Sequence, residues 1–211
     1  MLSHGYPSDQ SIRRDNVKSK KTPTQPLVAL YCGSRVGNKA IYLQSAVELA
    51  RGLAEHRFGL VYGGASIGLM GQVADTFVEF GGDTVGVIPQ FMLDYEVAHH
   101  ELSELHIVHT MHERKAMMAE RASAFIALPG GLGTFEEILE VATWGQLGQH
   151  QKPMMLYNVN GYYNALIAQL DHAVEEGFLP PQHRAKVIVC NQLSEIYTAL
   201  SGLNAPSHVV I

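Results

Sequence analysis

Three features of the sequence predict an α/β fold: a doubly wound parallel sheet flanked by helices, in a single domain. From residue 27 onward, short apolar runs alternate with helical stretches, the pattern of strand and crossover helix repeated along a sheet covered on both faces. Glycine-rich turns close several of the apolar runs, at residues 33–38, 63–71 and 130–133. A chain of 211 residues, 46% of them hydrophobic, is long enough to bury one full core. In such a Rossmann-like arrangement the turns after the strands gather along one sheet edge, so loops distant in sequence line a single crevice.

The first strand is expected at 27–32, followed by Gly33-Ser34-Arg35-Val36-Gly37-Asn38 as a first phosphate-loop candidate. Residues 40–56 read as an amphipathic helix, with Ile41, Ala46, Val47, Leu49, Ala50 and Leu53 forming its apolar stripe. A second strand at 58–62 runs into Gly63-Gly64 and a helix ending near Gly81-Gly82, and a third strand at 84–88 stops at Pro89. Residues 91–104 have no clean period and read as a loop or short irregular helix beside the crevice. A short strand at 105–109 leads to a helix opening at Met111, and an apolar run at 125–128 leads to Pro129 and three glycines. A helical pattern at 138–147, a strand at 153–157, a helix at 162–176, a strand at 186–190 and a helix at 193–200 complete the domain.

Charge narrows the partners. The net charge is -5, yet the first 25 residues hold five basic side chains and two acidic ones, so the body is more acidic than the total suggests. An acidic body is a poor match for a nucleic-acid backbone, and none is expected as partner. Residues 1–26 read as a polar basic tail, solvated and flexible, and residues 27–211 as one Rossmann-like domain. No apolar run approaches the ~18 residues that span a bilayer, and no secretory pattern opens the chain. The expected location is the cytoplasm, with no membrane partner. Cys32 and Cys190 close strands and are expected to be buried thiols.

Strand, glycine turn and helix together aim free backbone N–H groups and a positive helix end at an anion. None of the turns has the dinucleotide spacing G-x-G-x-x-G followed by an acidic strand end, and none has the lysine of G-x-x-x-x-G-K-[ST]. A nucleoside monophosphate therefore fits better than a dinucleotide or a triphosphate with magnesium. Thr134 and Glu137 have the T-x-x-E spacing of a capping box, and spacing by itself favours that role over catalysis. Glu136 and Glu137 point about 100° apart on a helix, so one of the two faces the crevice. Arg114 and Lys115 open a helix, either as a solvated start or beside an anion. His99, His100, His106, His109 and His112 lack zinc-like pairing, and no metal site is expected. A decarboxylase would need pyridoxal phosphate on a lysine, for which only Lys115 is suitably placed.

The stretch Met111-His112-Glu113-Arg114-Lys115 followed by Pro129-Gly130-Gly131-Leu132-Gly133-Thr134-Phe135-Glu136-Glu137 resembles the paired M-H-x-R-K and P-G-G-x-G-T-x-x-E motifs of the Lonely Guy family. Its members are cytokinin riboside 5'-monophosphate phosphoribohydrolases, also labelled lysine decarboxylases. The resemblance runs from residue 27 to the C-terminus and includes Tyr31-Cys32-Gly33-Ser34, Gly63-Gly64 and Gly86-Val87-Ile88-Pro89. It implies hydrolysis of the N-glycosidic bond of an adenosine 5'-monophosphate, N6-substituted or not, without a cofactor. It carries over Arg114 and Glu137 as the catalytic pair. Lys115, Gly130, Gly131, Leu132, Gly133, Thr134, Phe135 and Glu136 then surround the nucleotide, with Gly33, Ser34, Gly63 and Gly64 from the earlier turns and Glu96 and Thr143 as further contacts. Tyr95 stands where an arginine is common. A homodimer or larger homo-oligomer is also implied. The same loops would equally serve a non-catalytic nucleotide-binding or carrier protein.

Overall fold

Each strand must satisfy two layers of helices, and strand β2 (Leu27–Tyr31) shows how its residues are shared between them. Val28 and Leu30 pack into one core, while Leu27, Ala29 and Tyr31 pack into the other, so the strand is apolar at every position. The computed structural model describes residues 17–19, 21–93 and 98–203.

After β2 come α1 (Ala40–Glu55), β3 (Gly59–Tyr62), α2 (Gly68–Glu79), β4 (Thr84–Pro89), β5 (Glu104–Val108), α3 (Met111–Arg121), β6 (Ala122–Ala127) and α4 (Leu132–Gln146). The chain continues through β7 (Met154–Tyr157), α5 (Asn164–Glu175), α6 (Pro181–Arg184), β8 (Val187–Cys190) and α7 (Leu193–Leu200). A short strand β1 (Val17–Ser19) precedes them all. The eight strands form one sheet in the order β1-β5-β4-β3-β2-β6-β7-β8, parallel except for β1, which pairs antiparallel with β5. Helices α1, α2 and α7 cover one face around Leu49, Leu53, Phe77 and Ile196. Helices α3, α4 and α5 cover the other, around Met118, Ile138, Val141 and Phe125.

The doubly wound sheet agrees with the sequence reading, and the strands expected at 27–32, 58–62, 84–88, 105–109, 153–157 and 186–190 are found within one residue of those bounds. Three differences have physical causes. Strand β6 begins at Ala122, because small residues with little hydrophobic signal still pair with β2. Helix α4 begins at Leu132 instead of 138, because its first turn is glycine-rich and shows no apolar period. Residues 17–19 and 21–25, read as part of the polar tail, dock on the sheet: β1 extends its edge, and Asp83 binds the Lys21 ammonium at 2.8 Å and the Thr24 and Gln25 amides at 2.6 and 3.1 Å. The stretch expected as a loop or short irregular helix over 91–104 agrees where it is described, with a short 3-10 turn, Gln90–Met92, at its start and an isolated bridge between Ala98 and Ala65. Among the described residues no helix is long and apolar enough to cross a membrane.

Candidate active site

The strand order reverses between β2 and β6, where the connections leave the sheet in opposite directions and open a crevice beyond the strand ends. Gly33, just past β2, binds the three glycine-rich turns together: its N–H donates to Pro129 O at 3.1 Å, and its carbonyl accepts the Leu69 N–H at 3.1 Å. The close approach depends on Gly68, with φ of 60°, where a Cβ would lie 2.2 Å from the Ser34 carbonyl carbon.

The turn after β6 is not capped as its spacing predicts. The N-cap of α4 is Gly131, without a side-chain cap, so Thr134 and Glu137 lie inside the helix and form no capping box. Thr134 is buried, with its hydroxyl against Gly130, where a Cβ would come within 2.0 Å of Oγ1. A T-x-x-E cap occurs instead on α3: Thr110 Oγ1 accepts the Glu113 N–H at 3.1 Å, and Glu113 Oε2 accepts the His109 N–H at 2.8 Å. At the start of α4 the amides of Gly130, Gly131, Leu132 and Gly133 donate to no group among the described residues. A Cβ at Gly131 or Gly133 would meet nothing within 4 Å, so internal packing does not demand either glycine. They leave bare backbone at a helix N-terminus, where an anion binds well.

Helix α3 brings Arg114 to this crevice, and its side chain is no solvated helix start. The residue is 5% exposed, with Nη1 donating to the Met92 and Met111 sulfurs at 3.4 and 3.9 Å, and Nε is buried without a partner among the described residues. No ion pair to Arg114 occurs among the described residues. Its guanidinium lies on the bare Cα of Gly63, where a Cβ would sit 1.8 Å from Nη2. Lys115, next in sequence, turns the other way and pairs with Glu136 and with Glu140 at 3.0 Å. Burial pulls its ammonium down, but the two carboxylates outweigh this and hold it above the ordinary lysine range.

Those pairings separate the two adjacent glutamates. Glu136 is exposed and tied to Lys115, whereas Glu137 is half-buried and bears on the end of β2. Burial, followed by the charge of Glu137, raises both the Tyr31 phenol and the Cys32 thiol well above their ordinary values. A thiol so held is no nucleophile at neutral pH. Arg114, Glu136, Glu137, Thr134, Gly131 and Gly133 line a cleft of about 290 Å³ with Met70, Met92 and Met111. A larger cavity of about 610 Å³ opens on the other side of Gly33, Ser34 and Gly131, lined by Arg35, Tyr42, Leu69 and Tyr162, and it contains neither Arg114 nor Glu137. Among the described residues, the smaller cleft thus joins a buried cation without an ion pair, a carboxylate and a row of amides without acceptors. That set can hold a phosphorylated ligand and stabilise opposite charges on either side of a breaking bond.

The remaining expected contacts fall in several places. Gly33, Ser34, Gly131, Leu132, Gly133 and Thr134 line the smaller cleft, and Gly130 lines the larger one. Gly63 meets the site through Arg114, and Gly64, with φ of 78°, shapes the same turn. Phe135 lines neither and stacks on Tyr162, and Lys115 lines neither because it bridges α3 to α4. Thr143 is exposed farther along α4, its hydroxyl bonded back to the Leu139 carbonyl at 2.8 Å, and lines neither space. Glu96 lies outside the described residues. Cys32 and Cys190 are free and buried. Two of the histidines serve structure: His99 pairs with Asp75 and His106 with Glu104, each at 2.8 Å. Sequence reasoning missed Met70, Met92 and Tyr162. Only Tyr162 carried a local signal, as an aromatic directly after the Asn160-Gly161 turn.

A family model described as "Possible lysine decarboxylase" matches residues 70–200. A cytokinin riboside 5'-monophosphate phosphoribohydrolase of Rhodococcoides fascians is 47% identical over 191 residues, spanning 90% of this chain and 95% of that protein. One from Arabidopsis thaliana is 46% identical over 181 residues, 86% of this chain and 84% of the relative. Among solved structures, the Moco carrier protein from Chlamydomonas reinhardtii superposes with a TM-score of 0.63 at 21% identity, over 85% of this chain and 97% of that one. The molybdenum cofactor binding protein from Rippkaea orientalis gives 0.64 at 18% identity, over 86% and 98%. At such identities the two structures share the fold.

Proposed function

The chain belongs to the Lonely Guy family, matched under the description "Possible lysine decarboxylase", and from that membership we propose that it hydrolyses the N-glycosidic bond of adenosine 5'-monophosphate or an N6-substituted form of it. The products are the free base and ribose 5-phosphate. The observation that carries this reading is Arg114, buried without an ion pair among the described residues in the same cleft as Glu137, beside the open amides of α4.

The chemistry follows from where charge develops. As the bond from ribose C1' to the base nitrogen lengthens, the ribose gains oxocarbenium character and the base gains electrons. The Glu137 carboxylate stabilises the first and orients, or deprotonates, the water whose oxygen bonds to C1'. The Arg114 cation stabilises the second or orients Glu137; a guanidinium does not serve as a proton donor in proteins. The phosphate on the Gly131 and Gly133 amides anchors the ribose and supplies binding energy remote from the breaking bond. Schiff-base chemistry at Lys115 is disfavoured, because two carboxylates hold that amine protonated.

Family resemblance also supports a homo-oligomer acting in the cytoplasm. Leu132 and Leu139 on α4, with Leu147 just past its end, offer an apolar surface suited to a second copy, Leu132 and Leu147 being 86% and 66% exposed. The test of the catalytic roles is Glu137→Gln. It should reduce turnover of AMP by at least about a thousandfold while leaving nucleotide affinity within a few-fold. Equal loss of binding and turnover, or retained turnover, would contradict the assignment.

A further inference from the structure

Tyr162 and Tyr163 leave the 3-10 turn Val159–Gly161, in which Asn160 and Gly161 take positive φ of 51° and 71°. The buried Asn158 holds that turn: its Oδ1 accepts the Tyr163 N–H at 2.8 Å, and its Nδ2 donates to Asn164 and Asn191 at 2.9 and 3.1 Å. So placed, the two phenols reach the turn between β6 and α4. Tyr163 donates to Leu128 O at 2.6 Å, Gly33 N–H donates to Pro129 O at 3.1 Å, and Tyr162 donates to Gly130 O. Three successive carbonyls of the phosphate turn are therefore each held by a donor from elsewhere in the chain.

Every peptide bond described here is trans, and in a trans peptide the carbonyl and the N–H point in opposite directions. Holding the Gly130 carbonyl on Tyr162, a residue of the larger cavity, turns the N–H of the same peptide unit, that of Gly131, away from Tyr162. Gly131 also lines the cleft of Arg114 and Glu137, where this N–H has no partner among the described residues. The Tyr162 ring has little freedom, being stacked on Phe135 at 6.3 Å and met edge-on by Tyr42 and Tyr163 at 5.8 and 5.1 Å. We propose that Tyr162 is a positioning residue for the substrate's 5'-phosphate: its hydroxyl holds the Gly130 carbonyl so that the Gly131 N–H is already aimed at the anion. This inference rests on the reading that the α4 turn binds a phosphate.

Tyr163 supplies the control. The carbonyl it holds belongs to the peptide that joins Leu128 to Pro129, which has no N–H to aim. Calorimetric titration of the intact protein with AMP and with ribose 5-phosphate, alongside steady-state kinetics and thermal unfolding, separates the two tyrosines. Tyr162→Phe should weaken both ligands by the same factor, about tenfold, and raise KM with kcat within twofold. Tyr163→Phe should lower thermal stability yet leave both affinities within twofold. Unchanged affinity in Tyr162→Phe, a loss confined to kcat, or equal losses in the two variants would overturn the proposal. Wild-type protein that binds neither phosphorylated ligand would overturn the phosphate reading and this inference with it. Binding without turnover would overturn the hydrolytic reading alone.

Discussion

A guanidinium buried against two thioethers is expensive unless a further group offsets its charge, since sulfur is a weak acceptor and Nε has no acceptor among the described residues. Arg114 keeps that position because Gly63 has no side chain to displace it. Gly63→Ala puts a methyl into the guanidinium, and the flexible arginine is the partner that must move. We expect thermal stability within a few degrees of wild type and kcat/KM lowered about tenfold or more. Unchanged kinetics would mean that the position of Arg114 does not matter to the reaction. The neighbouring cation has a different duty: Lys115 joins α3 to α4 through Glu136 and Glu140, so that Glu136, which lines the cleft beside Glu137, is tied to that lysine.

Helix α4 opens on glycines that its own packing does not require. Gly133 stands in its first turn with open space beside it, although an alanine there would favour the helix by up to about 1 kcal/mol. Gly133→Ala should therefore raise the melting temperature slightly and weaken AMP binding severalfold, as read by thermal unfolding and titration. A stabilised protein with undiminished affinity would contradict the ligand-approach reading of this glycine. The same position marks the limit of what periodicity reveals. Apolar spacing located the strands and most helices because burial on both faces leaves a clear mark. It placed the start of α4 six residues late because the glycines of its first turn carry no apolar period. The T-x-x-E spacing misled for a related reason: Thr134 is buried under Gly130, and the cap of that kind belongs to Thr110 and Glu113. The order of Arg114 and the glycine turn exposed the site itself, whereas Tyr162 reaches Gly130 from 32 residues downstream and left only a turn followed by an aromatic.

At the scale of the molecule, the described N-terminal residues belong to the folded body. The Asp83 carboxylate is buried, which alone would raise its pKa, but the Lys21 ammonium and the Thr24 and Gln25 amides outweigh burial and hold it below the usual aspartate value. A lowered pKa contributes stability that is complete above about pH 4 and is lost as pH falls through the folded-state value. Asp83→Asn should cost about 1–3 kcal/mol at pH 7, and this difference from wild type should shrink as the pH is lowered below 4, as followed by denaturant unfolding. A difference that stays constant across that range would show that the charge of Asp83 is not what holds the segment. The catalytic edge lies at the opposite end of the strands, so catalysis should be little affected by the same change.

The central claim is that the cleft between α3 and α4 cleaves a nucleotide at its glycosidic bond. Incubating the purified protein with AMP and with N6-isopentenyl AMP and quantifying both products tests it directly. At least one of the two should yield free base and ribose 5-phosphate in equal amounts, with Glu137→Gln reduced to the level of heat-killed protein. Absence of base release from both substrates above that control would contradict it.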